Sequence, residues 1–539
     1  MSETTNEKLQ PVASPATDTV QPEASGYSWY VLFVLVIVYI LNFIDRQIVS
    51  ILVVDIQAHF QLTNAQMGFL GGAAFGVFYA LFGIPLGRLA DNWNRTRLLS
   101  IGLALWSAMT VVSGLSKNGA QLGLARMGVG IGEATASPSA YSLISDYFPK
   151  KQRATALAIY SSGLYLGGGV SLFIGAYIKE AWNIAYPGGG PLGLVGWQAA
   201  FLAVGFPGLL VALWVLSLRE PARGVMDGTP VAMSPTPFKD FLYDLSTIVP
   251  PFTLIGAARR GGGALMLNIL AAGLLGAFAW AMIGLTGNIP QWSAVAVGFY
   301  AVFSWASNLK SRDPATFQLI WGTPAFLCTS LGYVLVALAA YALAYWTAPY
   351  AELVLKLPKQ QLAFWLGALA ALSGFVGVIM GGRLADYLRT KNPAGRILVI
   401  MIGVVGPVIP IWIAFTTSSA PVFYTMHFLA GVLGSAALGA AAATTQDLVL
   451  PRMRGTATAV FFLATTLIGL GFGPYLVGQI ADLTGTMVDG KYVGDLRTGL
   501  LALIGVAPIA VVLLLYSYRS IPAAEATLIE RARAAGEPV

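Results

Sequence analysis

The sequence predicts an all-α polytopic membrane protein, and three observations support this fold class. Charged residues make up only 10% of the 539 residues, against roughly 25% in an average soluble domain. Hydrophobic residues make up 56%, and the mean hydropathy is +0.71. Apolar runs recur from residue 29 to residue 518. Each run is far longer than the 9–11 residues of a barrel strand, so the spans are predicted to be helices.

The apolar runs fall into two groups of six with an extra pair between them, which predicts fourteen spans. They lie near 29–55, 65–90, 97–116, 120–147, 153–179 and 196–218, then 264–286 and 292–308, then 316–346, 362–387, 395–416, 421–446, 455–481 and 499–518. Polar stretches separate and flank these groups. We therefore predict a disordered cytoplasmic tail, an N-terminal six-helix bundle, a cytoplasmic linker, an extra hairpin, a C-terminal six-helix bundle and a cytoplasmic tail, at 1–28, 29–218, 219–263, 264–312, 313–520 and 521–539.

The basic residues predict the orientation, because Lys and Arg concentrate on the cytoplasmic side of membrane proteins. With a cytoplasmic N-terminus, 21 of the 31 Lys and Arg residues fall in cytoplasmic segments and six fall outside. Both termini are therefore predicted to be cytoplasmic. The extra pair follows the same rule as a hairpin that crosses out and back, although a re-entrant or surface-lying segment is the alternative.

Two internal repeats indicate that the six-helix halves are homologous. The motif GRLAD occurs at 87–91 and again at 382–386, each time at the cytoplasmic end of the second span of its half. RATALA at 153–158 is echoed by RGTATA at 454–459, where each opens a fifth span. Parallel repeats of six helices are the plan of the major facilitator architecture.

The duplicated rim motifs predict a cytoplasmic gate. We expect Asp91 to meet the region of Gly455 and Thr456, and Asp386 to meet that of Ala154 and Thr155, because a helix N-terminus attracts a carboxylate. The alternative is that these charges only cap helix ends and fix the orientation. The residues assigned to the gate are Gly87, Arg88, Asp91, Arg95, Asp146, Arg153, Asp386 and Arg454.

Four charged residues lie well inside the predicted spans of the N-terminal half. They are Asp45, Arg46, Arg126 and Glu133, and buried charges in a membrane are functional candidates because their insertion is costly. Neighbours on a helix point about 100° apart, so Asp45 and Arg46 each need an outside partner. We predict Asp45 near Arg126, and Arg46 near Glu133 or facing the cavity.

This network predicts proton coupling by Asp45 and Glu133. When a carboxylate takes a proton, its Arg46 or Arg126 partner is freed to bind an anionic headgroup. The alternative is a static ion pair that holds the first and fourth helices together. Aromatic and small residues at helical spacing are weaker candidates for an apolar cavity wall; they are Tyr160, Leu164, Tyr165, Phe326, Ser330 and Tyr333.

Two longer stretches carry a family resemblance. GRLADNWNRTR resembles the loop signature of the major facilitator superfamily. NFIDRQIVSILVVDIQ and ARMGVGIGEATASPSAYSLISDYFPKKQRATALAIY resemble the spinster family within it, of a bacterial type. The resemblance implies a transporter with one central cavity and proton-linked movement of amphiphilic lipids, such as lysophospholipids and sphingolipid phosphates. The extra helix pair departs from the twelve-helix plan of that family.

The first hypothesis is thus a proton-coupled secondary transporter of an amphiphilic anionic lipid. A proton symporter of a small organic anion is the alternative, and a lipid-active membrane enzyme or sensor is a third. We expect no cofactor other than protons, and no metal, because the chain has only two histidines and one cysteine. We expect no nucleic-acid partner, because the net charge of +7 reflects basic loops. The predicted setting is a monomer in a bacterial inner membrane, with the bilayer and an amphiphilic small molecule as its partners.

Overall fold

The structure is a computed structural model that describes residues 24–224, 226, 234–488 and 491–538. Most of the described residues are helical, and two short strands, β1 (Thr486–Val488) and β2 (Lys491–Val493), pair as an antiparallel hairpin. The all-α fold class is confirmed. Of the predicted tail 1–28, residues 1–23 lie outside the described ranges, and the first helix begins at Gly26.

The six N-terminal spans are built from eight helices, because the second and fourth spans each break. At Gly72 the oxygen of Leu470 would lie 2.7 Å from an added Cβ, so glycine alone fits this break. The fourth span breaks at residues 134–135. The helices are α1 (Gly26–Phe60), α2 (Asn64–Gly71), α3 (Ala73–Asn92), α4 (Arg95–Gly114), α5 (Gly119–Glu133), α6 (Ala136–Tyr147), α7 (Lys150–Ala185) and α8 (Gly196–Leu216).

The predicted linker and hairpin also form helices. Two short ones, α9 (Pro237–Ile248) and α10 (Phe252–Arg260), occupy the linker, and their axes meet at 98°. The hairpin is α11 (Gly262–Thr286) and α12 (Ile289–Arg312). The linker is therefore more structured than its polar composition indicated.

The C-terminal half repeats the plan of the first. Its last long helix runs past the predicted boundary at residue 520 and ends at Ala526. A π-helix at Thr465–Leu470 interrupts the fifth span of this half. The helices are α13 (Pro314–Trp321), α14 (Pro324–Leu353), α15 (Lys359–Lys391), α16 (Gly395–Val405), α17 (Val408–Thr416), α18 (Ala420–Ser435), α19 (Ala437–Asp447), α20 (Arg454–Ala464), α21 (Gly471–Leu483), α22 (Leu496–Leu501), α23 (Val506–Ala526) and α24 (Leu528–Ala534).

The number of membrane crossings can be compared with the predicted fourteen. In the described part of the chain, twelve helices are long and apolar enough to cross a membrane. The span made of α5 and α6, which carries Arg126 and Glu133, and helix α12 do not belong to these twelve. Both are helical where spans were predicted, and their crossing of the membrane stays a prediction.

The apolar core is shared by the two bundles at one end, and at the other end each bundle has a core of its own. We name the end that carries both GRLAD copies the inner end and its opposite the outer end, following the predicted orientation. The largest cluster of buried apolar side chains contains residues of both bundles toward the outer end, such as Ile48 and Trp346. Toward the inner end the clusters belong mainly to one bundle each, around Val34 and around Phe326.

Helix α12 lies in a seam between the two bundles. Near its middle, an added Cβ at Gly298 would meet Val77 of α3 on one side and Leu467 of the π-helix on the other. Toward the outer end, Gln291 Nε2 donates to Gly471 O at 3.1 Å, and Trp292 packs edge-on against Tyr475. The extra pair therefore contacts both halves through α12, whereas α11 is largely exposed.

Candidate functional site

An ion pair joins the first and fourth spans inside the N-terminal bundle. Arg46 donates to Glu133 Oε2 from Nη2 at 2.8 Å and from Nε at 3.2 Å. The Glu133 side chain is fully buried, and that of Arg46 is 13% exposed. The predicted contact of these two residues is therefore present. A charge-assisted hydrogen bond of this kind is stronger than one between neutral groups.

Aromatic rings surround the guanidinium of Arg46. Its Cζ lies 4.9 Å from the ring centre of Phe43, 4.6 Å from that of Phe75 and 4.9 Å from that of Tyr79. A desolvated cation over aromatic faces is stabilised by about 2 kcal/mol. Arg46 thus has two kinds of partner, the Glu133 carboxylate and the rings, and its remaining exposed edge is open to a third.

Arg126 reaches Asp45 in a different way from the prediction. Its Nη1 donates to the backbone oxygen of Asp45 at 2.9 Å, rather than to the carboxylate. The Asp45 side chain is 1% exposed, and its Oδ1 has no hydrogen-bond partner among the described residues. Arg126 Nη2 also reaches toward Arg46 O, at 3.5 Å. Asp45 and Arg126 are therefore neighbours, as predicted, but Arg126 bonds the backbone rather than the carboxylate.

Each of the two carboxylates of this network has one oxygen without a hydrogen-bond partner among the described residues. These oxygens, Oδ1 of Asp45 and Oε1 of Glu133, are both buried. Because buried polar atoms without a partner are uncommon in folded proteins, both carboxyl groups are candidates for a functional role.

The predicted rim residues form the same ion pair in both halves. Arg95 Nη1 pairs with Asp146 Oδ2, and Arg396 Nη1 pairs with Asp447 Oδ2. An offset of 301 residues relates the two pairs, as it relates RATALA to RGTATA. Each pair joins the start of a third span of its half to the end of the fourth. This duplication supports the homology of the two halves.

The contacts predicted to close the inner end are not formed among the residues whose side chains the structure describes, which do not include Ala154. Among the described residues, no hydrogen bond joins Asp91 to Gly455 or Thr456. Asp386 pairs instead with Arg396 at 3.3 Å and is 76% exposed. The expected contacts across the rim are thus corrected to contacts within each half, and the gate remains a prediction.

The other assigned gate residues also lie at the inner rim. Arg88 bonds Asp244 of α9 at 2.6 Å, and Arg153 donates to Ser145 O at 2.7 Å. Gly87 packs near Pro138, and Arg454 is exposed at the start of α20. These contacts stay within the N-terminal half and the linker.

A carboxylate does cap a helix of the other half, but at the outer end. Asp482 of α21 accepts the backbone N–H of Asn64 at 3.1 Å and that of Ala65 at 2.8 Å. It also accepts the side-chain amide of Asn64 at 2.7 Å. The sequence around it, GQIAD at 478–482, repeats the glycine, alanine and aspartate spacing of GRLAD. This third copy was the signal that the sequence analysis missed.

A cluster of charges joins the halves nearby. Lys359 Nζ of α15 lies 2.5 Å from Asp55 Oδ2 of α1 and 3.1 Å from Glu352 Oε1. Lys179 Nζ lies 3.2 Å from Asp55 Oδ1. Tyr345 Oη donates to Met67 O at 2.7 Å a little deeper. The bundles are therefore closed together at the outer end.

The six predicted cavity-wall residues lie in different surroundings. Tyr160 stacks on Tyr39 with ring centres 4.3 Å apart, and Tyr333 stacks on Phe461 at 5.1 Å. Tyr160 and Phe326 have no exposed surface, so their assignment to a cavity wall is corrected for this conformation.

The other three predicted cavity-wall residues do not mark a cavity either. Ser330 is 4% exposed, Leu164 is partly buried and Tyr165 packs against Gly374 of α15. A groove of about 440 Å³ between α15 and α18, toward the outer end, contains none of the six.

The sequence of most of the chain matches a known family. Residues 35–474 fit the profile of the Major Facilitator Superfamily. The chain belongs to the major facilitator superfamily. The fold predicted from the two repeats is thereby confirmed, and the protein is a multi-pass membrane transporter of that superfamily.

Relatives of this superfamily member cover most of its length. An MFS-type efflux pump of Mycolicibacterium smegmatis is 23% identical over 88% of this chain and 89% of that protein. The sphingosine-1-phosphate transporter SPNS2 of Xenopus tropicalis is 26% identical over 82% of this chain and 72% of that protein. A bacterial homologue of the human lysosomal transporter spinster, solved in an inward-facing and unoccupied conformation, superposes with a TM-score of 0.66 at 26% identity, over 94% of this chain and 98% of that one. The predicted resemblance to spinster proteins is confirmed.

Proposed function

We propose that this transporter is coupled to protons and moves an amphiphilic anionic lipid, of the lysophospholipid or sphingolipid type, by alternating access. The observation that carries the proposal is the Arg46–Glu133 pair inside its cage of aromatic rings. In the proposed setting the protein lies in a bacterial inner membrane with both termini in the cytoplasm.

The ion pair supports exchange of a proton for a headgroup. Protonation of Glu133 removes the negative charge that faces Arg46, and the freed guanidinium then offers its fork of donors to a phosphate or carboxylate. The rings of Phe43, Phe75 and Tyr79 provide apolar surface beside that cation. A charged point next to apolar walls matches a molecule with an anionic head and a hydrocarbon tail.

The closed outer end supports alternating access. The Asp482 cap and the Asp55–Lys359 pair join the bundles there, while the expected contacts across the inner rim are not formed within the described part of the chain. With the predicted orientation, this is the arrangement of an inward-facing transporter. The opposite state requires those outer contacts to break and a set at the inner rim to form.

The name of one relative supports the proposed class of substrate. SPNS2 is named a transporter of sphingosine-1-phosphate, which is a phosphorylated amphiphile. The likeness at 26% identity extends over most of both chains, so a related cargo class is the natural first choice to test.

The test is uptake into vesicles that contain the purified full-length protein. Labelled lysophospholipids and small organic acids are compared with and without a pH gradient, for the wild type and for Asp45→Asn, Glu133→Gln and the control Glu530→Gln, which changes an exposed acid on α24. We expect gradient-stimulated lipid uptake that both buried variants lose and the control retains. Stimulation that survives both changes would refute proton coupling by these residues, and uptake of small acids alone would refute the lipid cargo.

A further inference from the structure

The two linker helices, α9 and α10, present several large apolar side chains outward. On α9, Asp244 and Thr247 are buried at 7% and 3% exposure, whereas Phe238 and Leu242 are 52% and 60% exposed. A helix at the surface of a soluble domain shows the opposite pattern, with its apolar stripe against the core. We name α9 and α10 together, residues 237–260, the elbow.

The second arm of the elbow follows the same pattern. On α10, Thr253 and Ala257 are buried, whereas Phe252 and Ile255 are 52% and 51% exposed. Large apolar side chains that are exposed together on neighbouring helices indicate a surface that meets an apolar partner.

Polar contacts fix which side of the elbow faces the protein. Arg88 Nη1 of α3 donates to both carboxylate oxygens of Asp244, at 2.6 and 2.8 Å. The hydroxyls of Thr253 and Tyr300 of α12 lie 3.0 Å apart, within hydrogen-bond distance. The buried side of the elbow also includes Ile248, at 1% exposure, and the ring centre of Phe238 lies 5.0 Å from that of Trp93. The large apolar side chains that remain exposed, such as Leu242, point away from the bundle.

The position of the elbow identifies the partner as the lipid bilayer. Helix α9 has 12 residues and is about 18 Å long, which alone is too short to cross a hydrocarbon core of about 30 Å. Together α9 and α10 are long and apolar enough to cross, but the bend of 98° between them is not that of a straight span. Helix α9 bonds Arg88 of the GRLAD motif, at the inner end of the second span. The elbow is followed directly by α11, whose exposed Leu267, Leu270 and Leu274 continue the apolar surface. The elbow therefore lies along the level at which the headgroups of the inner leaflet meet the acyl chains.

Charge favours an anionic leaflet. Cationic side chains on or beside the elbow are exposed, whereas the acids Asp240 and Asp244 bond Ser234 and Arg88. Basic residues close to a membrane surface are attracted to anionic headgroups. The exposed cations are Lys239, Arg259, Lys310 and Arg312.

We propose that the elbow is a membrane-surface anchor that inserts Phe238, Leu242, Phe252 and Ile255 into the cytoplasmic leaflet and binds anionic lipids there. The amphipathic segments that lie in membrane interfaces have this combination of an apolar face and a basic border. Because Asp244 holds Arg88, insertion of the elbow also fixes the inner end of the second span. The inference does not depend on the cargo or on proton coupling.

The experiment places a fluorophore on the apolar face. Cys328, the single native cysteine, is changed to Ser, and Leu242→Cys is labelled with an environment-sensitive dye in the full-length protein, in nanodiscs of phosphatidylcholine with or without phosphatidylglycerol. Glu530→Cys, exposed on α24, is the matched control, and Phe238→Cys is a second probe should Leu242→Cys fold poorly. Quenching by lipids brominated near the headgroup is compared with quenching by aqueous iodide.

We expect the Leu242 label to be quenched at least about twofold more by brominated lipid than the Glu530 label, and less by iodide. Phosphatidylglycerol should increase the difference, and Lys239→Gln with Arg259→Gln should remove that increase. Equal iodide quenching of both labels would overturn the anchor. Protection from both quenchers would overturn it as well, because it would show that protein covers the face. A lipid effect that persists in the double variant would overturn the anionic preference.

Discussion

The carboxylate of Asp482, at the end of the fifth span of the C-terminal half, accepts the backbone N–H of Ala65 at the start of the second span, 2.8 Å away in the other bundle. One side chain of the C-terminal half therefore satisfies amide groups that a helix N-terminus would otherwise leave unpaired. This contact is a direct link between the bundles at the outer end, and it must break when that end opens.

Asp482→Asn should loosen the outer end. The amide keeps one acceptor oxygen but loses the charge that the helix dipole favours, which is worth about 0.3–1 kcal/mol. Spin labels at Lys117→Cys and Ser418→Cys, in a Cys328→Ser background, report the distance between outer loops of the two bundles. We expect a shift toward longer distances. Asp495→Asn is the control, because Asp495 caps α22 within one bundle; equal distributions for both variants would contradict the role of Asp482.

The Asp55–Lys359 pair should couple energetically across the bundles. The two side chains are 22% and 11% exposed and lie 2.5 Å apart. A double-mutant cycle with Asp55→Asn and Lys359→Met, measured by thermal unfolding, should give a coupling free energy of about 0.5–1 kcal/mol. A control cycle of Asp55→Asn with Lys117→Met, which changes an exposed lysine of another loop, should give no coupling free energy. Added salt should reduce the first value, because partly exposed charges are screened.

A matched apolar replacement separates the two interpretations of the Arg46–Glu133 pair. Glu133→Gln alone should destabilise the protein by about 1.5–3 kcal/mol, since a charge-assisted bond to Arg46 is lost. Arg46→Met combined with Glu133→Met should be more stable than that single variant, because no unpaired charge stays buried. If the pair works as a switch, this double variant folds and does not transport. Normal transport by it would show that the pair only holds two helices together.

The duplicated rim pairs should differ in strength. Arg95 and Asp146 have side-chain exposures of 0% and 9%, against 17% and 32% for Arg396 and Asp447. Asp146→Asn leaves a buried guanidinium short of one partner, so its loss of unfolding free energy should be severalfold larger than that of Asp447→Asn. Melting temperatures measured in one detergent test which variant loses more stability. Similar shifts for the two variants would mean that burial of the ion pair does not determine this loss.

The sequence predicted the spans and the charged network for physical reasons. Apolar runs long enough to cross a bilayer have few other uses, and charges buried among them need partners. The Arg46–Glu133 contact followed from that need. The hydrogen-bond acceptor of Arg126 did not follow from it. A backbone oxygen competes with a carboxylate for this guanidinium, and the sequence does not reveal which of the two acceptors lies nearer to it.

Other features depend on packing between the halves. The carboxylate that caps a helix of the other half is Asp482 at the outer end, and not Asp91 or Asp386 at the inner end, as predicted. A sequence describes all conformations of a transporter at once, so it does not tell which set of rim contacts is formed. The fold of the linker was also beyond reach, because its helices turn their apolar side away from the protein.

Helix α12 touches both bundles, and this has a mechanical consequence. A body in contact with two others cannot follow both when they rock apart, so its surface must slide along one of them. Gly298, between Val77 and Leu467, leaves that surface smooth at the crossing. Side-chain repacking along this line would then contribute to the free-energy barrier between the two states. A larger residue at position 298 would slow their interconversion.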